Sequence, residues 1–123
     1  MSALILKETK NTPEITLDPS AGVYSIKGKC FPENSKKYFT PIHDWFTFAK
    51  IQGEIKLKFD LDYISSSSVI AILELLRHIE KSANTNQYKV SVTWLYEDGD
   101  DDSANVAFNY QKLCSLPIDI QAY

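Results

Sequence analysis

Apolar and polar residues alternate along Glu14-Ile15-Thr16-Leu17 and again along Val23-Tyr24-Ser25-Ile26-Lys27-Gly28, the period of half-buried strands. Between them, Asp18-Pro19-Ser20-Ala21-Gly22 is turn chemistry, with proline setting φ and glycine open to positive φ. The pair is therefore expected as an antiparallel hairpin. From Pro32 to Ile51 the period lengthens. Phe39, Ile42, Trp45, Phe46 and Ala49 recur at three- and four-residue steps and make one apolar helical face. Pro32-Glu33-Asn34-Ser35 supplies the start signals. Pro41 interrupts this run, because a proline lacks the N–H and crowds the preceding turn. The pattern predicts a kinked helix there, with a fresh start at Pro41 capped by Thr40 as the alternative.

Gly53 closes that segment, and Glu54 to Tyr63 follows as the clearest strand. Ile55, Leu57, Phe59 and Leu61 alternate with Lys56, Lys58, Asp60 and Asp62, so one face is buried and the other is polar. After Ser65-Ser66-Ser67-Ser68, the spacing of Val69, Ile72, Leu73, Leu76 and Ile79 predicts an amphipathic helix to about Lys81. Asn84-Thr85-Asn86 reads as a loop and Lys89 to Tyr96 as another strand. The acidic stretch Glu97 to Asp102 leads into a third helix, from Ser103 to about Cys114, which Leu116-Pro117 ends. Ile118-Asp119-Ile120 is a short last strand, and residues 1–11 read as an N-terminal arm outside the pattern. The expected order is β-β-α-β-α-β-α-β. It predicts a single α/β domain over residues 1–123: a mixed sheet that opens with an antiparallel hairpin, continues in β-α-β units and is flanked by helices.

Composition narrows the functional classes. The 123 residues hold 13 Lys and Arg against 16 Asp and Glu, a net charge of −3, which argues against binding to a phosphate backbone and so against a nucleic-acid partner. No apolar run approaches the roughly 20 residues that span a bilayer, and no signal-peptide core follows Met1 to Lys10; a cytoplasmic protein with no membrane partner is expected. Cys30 and Cys114 are far apart and lack a Cys-x-x-Cys context, so both are expected as buried free thiols. With two His and two Cys, all separated, no metal or other cofactor is expected.

The serine run stands where a strand gives way to a helix. Serine is a good N-cap, so helix capping explains the run. The same position suits a phosphate, because a helix N-terminus offers unpaired N–H groups and a positive dipole end. Catalysis by these serines is not expected. No Gly-x-Ser-x-Gly elbow or glycine-rich phosphate loop is present, and His43 and His78 are the only imidazoles. His78 lies too far along the same helix to reach the run, and both His are expected on a surface or a helix flank. Asp98, Asp100, Asp101 and Asp102 lack the spacing of a calcium loop and are expected to be solvated, with the last of them favouring the start of the third helix. Tyr110 and Tyr123 serve equally as exposed docking aromatics or as core and edge packing.

Phe59-Asp60-Leu61, Ile64-Ser65-Ser66-Ser67 and Val69-Ile70-Ala71-Ile72-Leu73 resemble the strand-to-helix junction of STAS domains, the fold of anti-sigma-factor antagonists. Thr12 to Pro19, Phe31-Pro32-Glu33-Asn34, Pro41-Ile42-His43-Asp44-Trp45, Trp94-Leu95-Tyr96-Glu97-Asp98 and Leu116-Pro117 extend the resemblance, in order, to SiaC-type regulatory phosphoproteins, a STAS-like bacterial family. The resemblance implies a STAS-like fold and a non-enzymatic role. It also implies reversible phosphorylation at Ser66, with Ser65, Ser67 and Ser68 as alternates. A serine/threonine protein kinase and a PP2C-type phosphatase are implied as partners. The unmodified form is expected to bind a diguanylate cyclase through Tyr63, Ile64, Ser65, Ser67 and Val69, raising cyclic-di-GMP and favouring biofilm formation. This chain departs from the family pattern in having Ser for the usual Thr at position 66 and Ile70 where lysine is common. An anti-sigma-factor antagonist in a partner-switching pathway is the alternative. Nearby Asp60 and Asp62 are expected to sharpen repulsion of a phosphorylated surface.

Overall fold

The computed structural model describes residues 2–123. Six strands and three helices follow one another as β1 (Leu4–Leu6), β2 (Glu14–Asp18), β3 (Val23–Cys30), α1 (Ser35–Thr47), β4 (Glu54–Ile64), α2 (Ser66–Asn86), β5 (Lys89–Tyr96), α3 (Asp101–Leu113) and β6 (Ile118–Ala122). The strands lie in sequence order in one sheet. β1, β2 and β3 pair antiparallel, whereas β3–β4, β4–β5 and β5–β6 pair parallel, each across one helix. The expected mixed α/β sheet is thus present.

Three differences from the sequence reading have physical causes. The segment read as an arm carries β1, a three-residue edge strand whose Leu4 pairs with Leu17 and Leu6 with Ile15. Three residues are too short for a periodic signal, and the opening hairpin is therefore a three-stranded antiparallel unit. The single helix expected through Pro41 is present: α1 runs from Ser35 with Asn34 as its cap, and the alternative of a fresh start capped by Thr40 is not taken. The Thr40 hydroxyl instead lies 3.2 Å from the Lys36 carbonyl within the helix. α2 continues past Lys81 to Asn86, and Gln87 ends it in the left-handed region (φ 58°), so Asn84-Thr85-Asn86 is helical rather than a loop. α3 starts at Asp101, not Ser103, because Asp100 caps it by accepting from the Ser103 N–H at 3.1 Å.

The core lies between one face of the sheet and the helices. Ile15 and Leu17, Tyr24 and Ile26, Ile55, Leu57, Phe59 and Leu61, and Val90, Val92 and Trp94 point inward from their strands. They meet Phe39, Ile42, Trp45 and Phe46 of α1 and Ile72, Leu75, Leu76 and Ile79 of α2. The other face of β4 shows Lys56, Lys58 and Asp60, as alternation requires. Trp94 is fully buried, stacked on Phe59 at 5.2 Å and met edge-on by Tyr110 at 5.6 Å, and its indole N–H donates to Ser103 Oγ at 3.0 Å.

Gly28 and Asp62 break the regularity of the central pair. The β3–β4 register shifts after Gly28, which pairs with Leu61, to Lys29 opposite Tyr63, so Asp62 is an extra residue in β4. A bulge inverts alternation beyond it. Tyr63, at the position after Leu61 that plain alternation would bury, turns out to solvent, while Ile64 turns in beside Cys30. Gly28 holds φ at +120°, and a Cβ there would stand 2.8 Å from Glu8 Oε2.

Because Trp94 joins β4, β5 and α3, Trp94→Ala is expected to cost about 3–5 kcal/mol of stability, read as a lowered urea midpoint with an unchanged slope. A loss below about 1 kcal/mol would contradict this placement.

Candidate functional site

β4 ends against β3 and passes directly into α2. The Ser65 N–H donates to the Cys30 carbonyl at 3.0 Å, extending the sheet's hydrogen bonding one residue beyond Ile64. The Ser65 carbonyl accepts from the Val69 N–H at 3.0 Å, and its Oγ accepts from the Ser68 N–H at 3.3 Å. Ser65 is thereby the N-cap of α2, with extended backbone angles (φ −69°, ψ 158°).

The four serines of the run occupy four different environments. Ser65 is half-buried as the cap. Ser68 is fully buried; it receives the Ser65 hydroxyl at 2.9 Å and lies 3.1 Å from Ser35 Oγ. Ser67 is exposed, but its Oγ lies 2.9 Å from Ser35 Oγ and 3.3 Å from Ser65 Oγ. Ser66 is exposed and is the first residue of α2, and its hydroxyl makes no hydrogen bond among the described residues. Capping and presentation of a free hydroxyl are thus divided between neighbouring residues.

Apolar surface surrounds this point. Tyr63 is 55% exposed and meets Phe31 edge-on at 5.4 Å, and Ile70 one turn into α2 is 62% exposed. Ile64 and Val69 are half-buried against the core, and the Val69 carbonyl accepts the Tyr110 hydroxyl at 2.6 Å. On one flank, Tyr63 and Ile64 share a groove with Asp62, Asp100, Asp102 and Val106. On the other, Ser67, Ile70 and Glu74 of α2 face Asn34, Ser35 and Lys36 of α1 across a groove of about 410 Å³. Of the expected contact residues, Tyr63 and Ser67 present open surface, while Ile64, Ser65 and Val69 mainly hold the junction in place. Phe31, Ile70 and Ser35 were not legible as site residues. Phe31 and Ser35 are distant in sequence and reach the junction only through β3 and α1.

Other candidate residues fall elsewhere. His43 of α1 and His78 of α2 lie face to face, ring centroids 4.7 Å apart. His78 Nε2 lies 2.7 Å from the Thr47 hydroxyl and 3.0 Å from the His43 carbonyl. The pair belongs to the helix–helix seam, and twelve residues of α2, roughly 18 Å along the axis, separate His78 from Ser66. Burial pushes the Cys30 thiol up, against a lowering hydrogen bond from Ser68, and burial also raises Cys114. Both are therefore poor thiolates, and Cys114 is only partly buried rather than buried. Asp100 to Asp102 are the cap and first turn of α3. Tyr110 is a buried core residue, 2% exposed, whereas Tyr123 is exposed and donates to Asp60 Oδ1 at 2.9 Å. That bond, with the nearby charges of Asp60, Asp62 and Glu97, holds the Tyr123 hydroxyl up at about 12.

The junction thus presents one exposed hydroxyl, unbonded among the described residues, at a capped helix start, flanked by apolar and acidic surface and remote from either imidazole. The model of the SiaC family of regulatory phosphoproteins matches residues 6–123, and the chain belongs to that family, whose members act as regulators and not as enzymes. The chain is similar over its whole length to the solved structure of SiaC of Pseudomonas aeruginosa, with 33% identity, full coverage of both chains and a TM-score of 0.85. A crystal structure of the diguanylate cyclase SiaD in complex with its activator SiaC, from the same organism, holds a chain 30% identical, with 98% of this chain and 99% of that one covered and a TM-score of 0.81. An uncharacterised protein of P. aeruginosa strain UCBPP-PA14 is 34% identical over 125 residues, covering 100% of this chain and 98% of its own. Among the described residues, no helix is long and apolar enough to cross a membrane.

The histidine seam carries a pH dependence. Burial lowers the His43 pKa, the His78 charge lowers it further, and Glu74 and Asp44 partly oppose this. A depressed pKa means that stability is complete above the ordinary histidine value of 6.5 and falls as pH drops through the folded-state value. Unfolding midpoints measured across this range are expected to decline toward acid, and His43→Gln is expected to flatten the decline. An unaltered slope in that variant would assign the acid sensitivity to other groups.

Proposed function

We propose that this chain is a cytoplasmic phosphorylation switch whose acceptor is Ser66 and whose unmodified form docks on a diguanylate cyclase. The single observation that carries the acceptor assignment is that Ser66 alone in the run combines exposure with a hydroxyl unbonded among the described residues. A serine/threonine kinase transfers the terminal phosphoryl group of ATP: the Ser66 Oγ–P bond forms, the bond to the β-phosphate oxygen breaks, and ADP leaves. The hydroxyl proton passes to the kinase's base. A PP2C-type phosphatase reverses the state by hydrolysis. Docking runs over Tyr63, Ser67 and Ile70, with Ile64, Ser65 and Val69 fixing their positions, and its output is cyclic-di-GMP and biofilm formation. The cyclase partner is supported by the activator complex of the relative from P. aeruginosa.

The switch is electrostatic and steric. A phosphoserine carries about −1.5 to −2 charges, taking the chain from −3 to roughly −5. Unpaired N–H groups at the start of α2 accommodate the phosphate on the free protein. A partner seated on Tyr63 and Ile70 would have to desolvate it beside Asp62, Asp100 and Asp102, which share the groove with Tyr63. The modified state is therefore compatible with the fold and hostile to docking.

Pull-down with the cyclase encoded near this gene tests the reading. Ser66→Ala is expected to bind as wild type does, and Ser66→Glu to bind at least about tenfold more weakly, the factor equivalent to about 1.4 kcal/mol. Equal binding by both variants would remove the junction from the interface. Peptide mapping after treatment with the kinase and ATP is expected to place the phosphate on Ser66, and modification outside residues 65–68 would overturn the assignment.

A further inference from the structure

Ser35 begins α1, is 5% exposed, and among the described residues is the only member of the hydroxyl cluster that comes from another helix. Its Oγ lies 2.9 Å from Ser67 Oγ and 3.1 Å from Ser68 Oγ, which ties the starts of α1 and α2 together. Ser65 donates to Ser68, whose one proton is shared between the Cys30 sulfur and Ser35 Oγ, and the Ser35–Ser67 contact can run in either sense. If Ser35 is the donor, one of the two lone pairs of Ser67 Oγ is occupied. If the Ser35–Ser67 bond runs the other way, the Ser67 proton is held instead. Either way Ser67 is engaged by a buried partner, and Ser66 beside it is not.

Resting on the reading of Ser66 as the phosphoacceptor, we propose that Ser35 is a positioning residue that sets which serine is modified. Ser66 and Ser67 are adjacent and both exposed, so exposure alone does not separate them for a kinase. The bond from Ser35 does. For Ser67 to attack, its side chain must leave Ser35, stranding a buried hydroxyl that retains only Ser68, whereas Ser66 attacks with no bond broken. The chemistry at either residue is the same phosphoryl transfer: Oγ–P forms, the ATP β–γ bridge breaks, ADP leaves and the proton goes to the kinase. Only the cost of presenting the oxygen differs. A run of four hydroxyls thus behaves as a single acceptor because a residue some thirty positions upstream in the chain holds the competing one.

The test is the ratio of phosphate on Ser67 to phosphate on Ser66, read by fragment-ion mapping of the full chain treated with the kinase and ATP. Wild type is expected to be modified on Ser66. Ser35→Ala is expected to raise the Ser67 share by roughly two- to tenfold, the equilibrium factor of one net hydrogen bond. Ser35→Thr, which keeps the hydroxyl, is expected to restore the wild-type ratio, a rescue that general loosening of α1 would not give. Thermal unfolding checks that the variants fold, and Ser35→Cys, close to serine in size, is a second disruption should Ser35→Ala fail to fold. A Ser67 to Ser66 ratio unchanged in the folded Ala or Cys variant would overturn the role of Ser35. Phosphate absent from Ser66 in wild type would instead overturn the reading on which it rests.

Discussion

One extra residue in β4 sets the geometry on which the proposed switch depends. With Asp62 unpaired against β3, the strand's alternation inverts, Tyr63 faces solvent and Ile64 enters the core next to Cys30. The Ser65 N–H then reaches the Cys30 carbonyl while its Oγ caps α2, so one residue is both the last rung of the sheet and the first support of the helix. Without the bulge, Tyr63 would be driven into the core and its exposed contact with Phe31 lost, since a one-residue slip moves every later side chain to the opposite face.

In the proposed switch, rigidity at this junction is what would let a single hydroxyl act as a signal. Ser65 and Ser68 are consumed by capping and burial, Ser67 is tethered to α1, and Ser66 is left on the first turn of a 21-residue helix. The helix is held from below by Ile72, Leu75, Leu76 and Ile79, and from the side by the Tyr110 hydroxyl on the Val69 carbonyl. A phosphate placed there has little to reorganise in the fold. Its energetic consequence falls on whatever approaches the surface, as the proposed docking switch requires.

Much of this was legible in the sequence, because periodicity reports burial. The alternation of Ile55 to Leu61 located β4, the spacing from Val69 to Ile79 located α2, and the serine run marked the junction between them. The family resemblance implies Ser66 within that run. Periodicity is silent where an element is short, as with Leu4–Leu6, or where one side chain overrides it, as with the Asp100 cap. It is silent above all on register. Neither the Asp62 bulge nor the Ser35–Ser67 contact has a local signature, because each depends on which strand or helix lies alongside. The division of labour among four identical residues is a property of packing, and composition does not contain it.

The central claim is that phosphate on Ser66 of the otherwise unchanged protein abolishes docking. Titration of the cyclase with unmodified chain and with chain phosphorylated to completion by the kinase, by isothermal calorimetry at one ionic strength, tests it most directly. The account predicts tight binding by the first and a dissociation constant at least roughly a hundredfold higher for the second, a difference of about 2.7 kcal/mol. Equal dissociation constants for the two forms would contradict it.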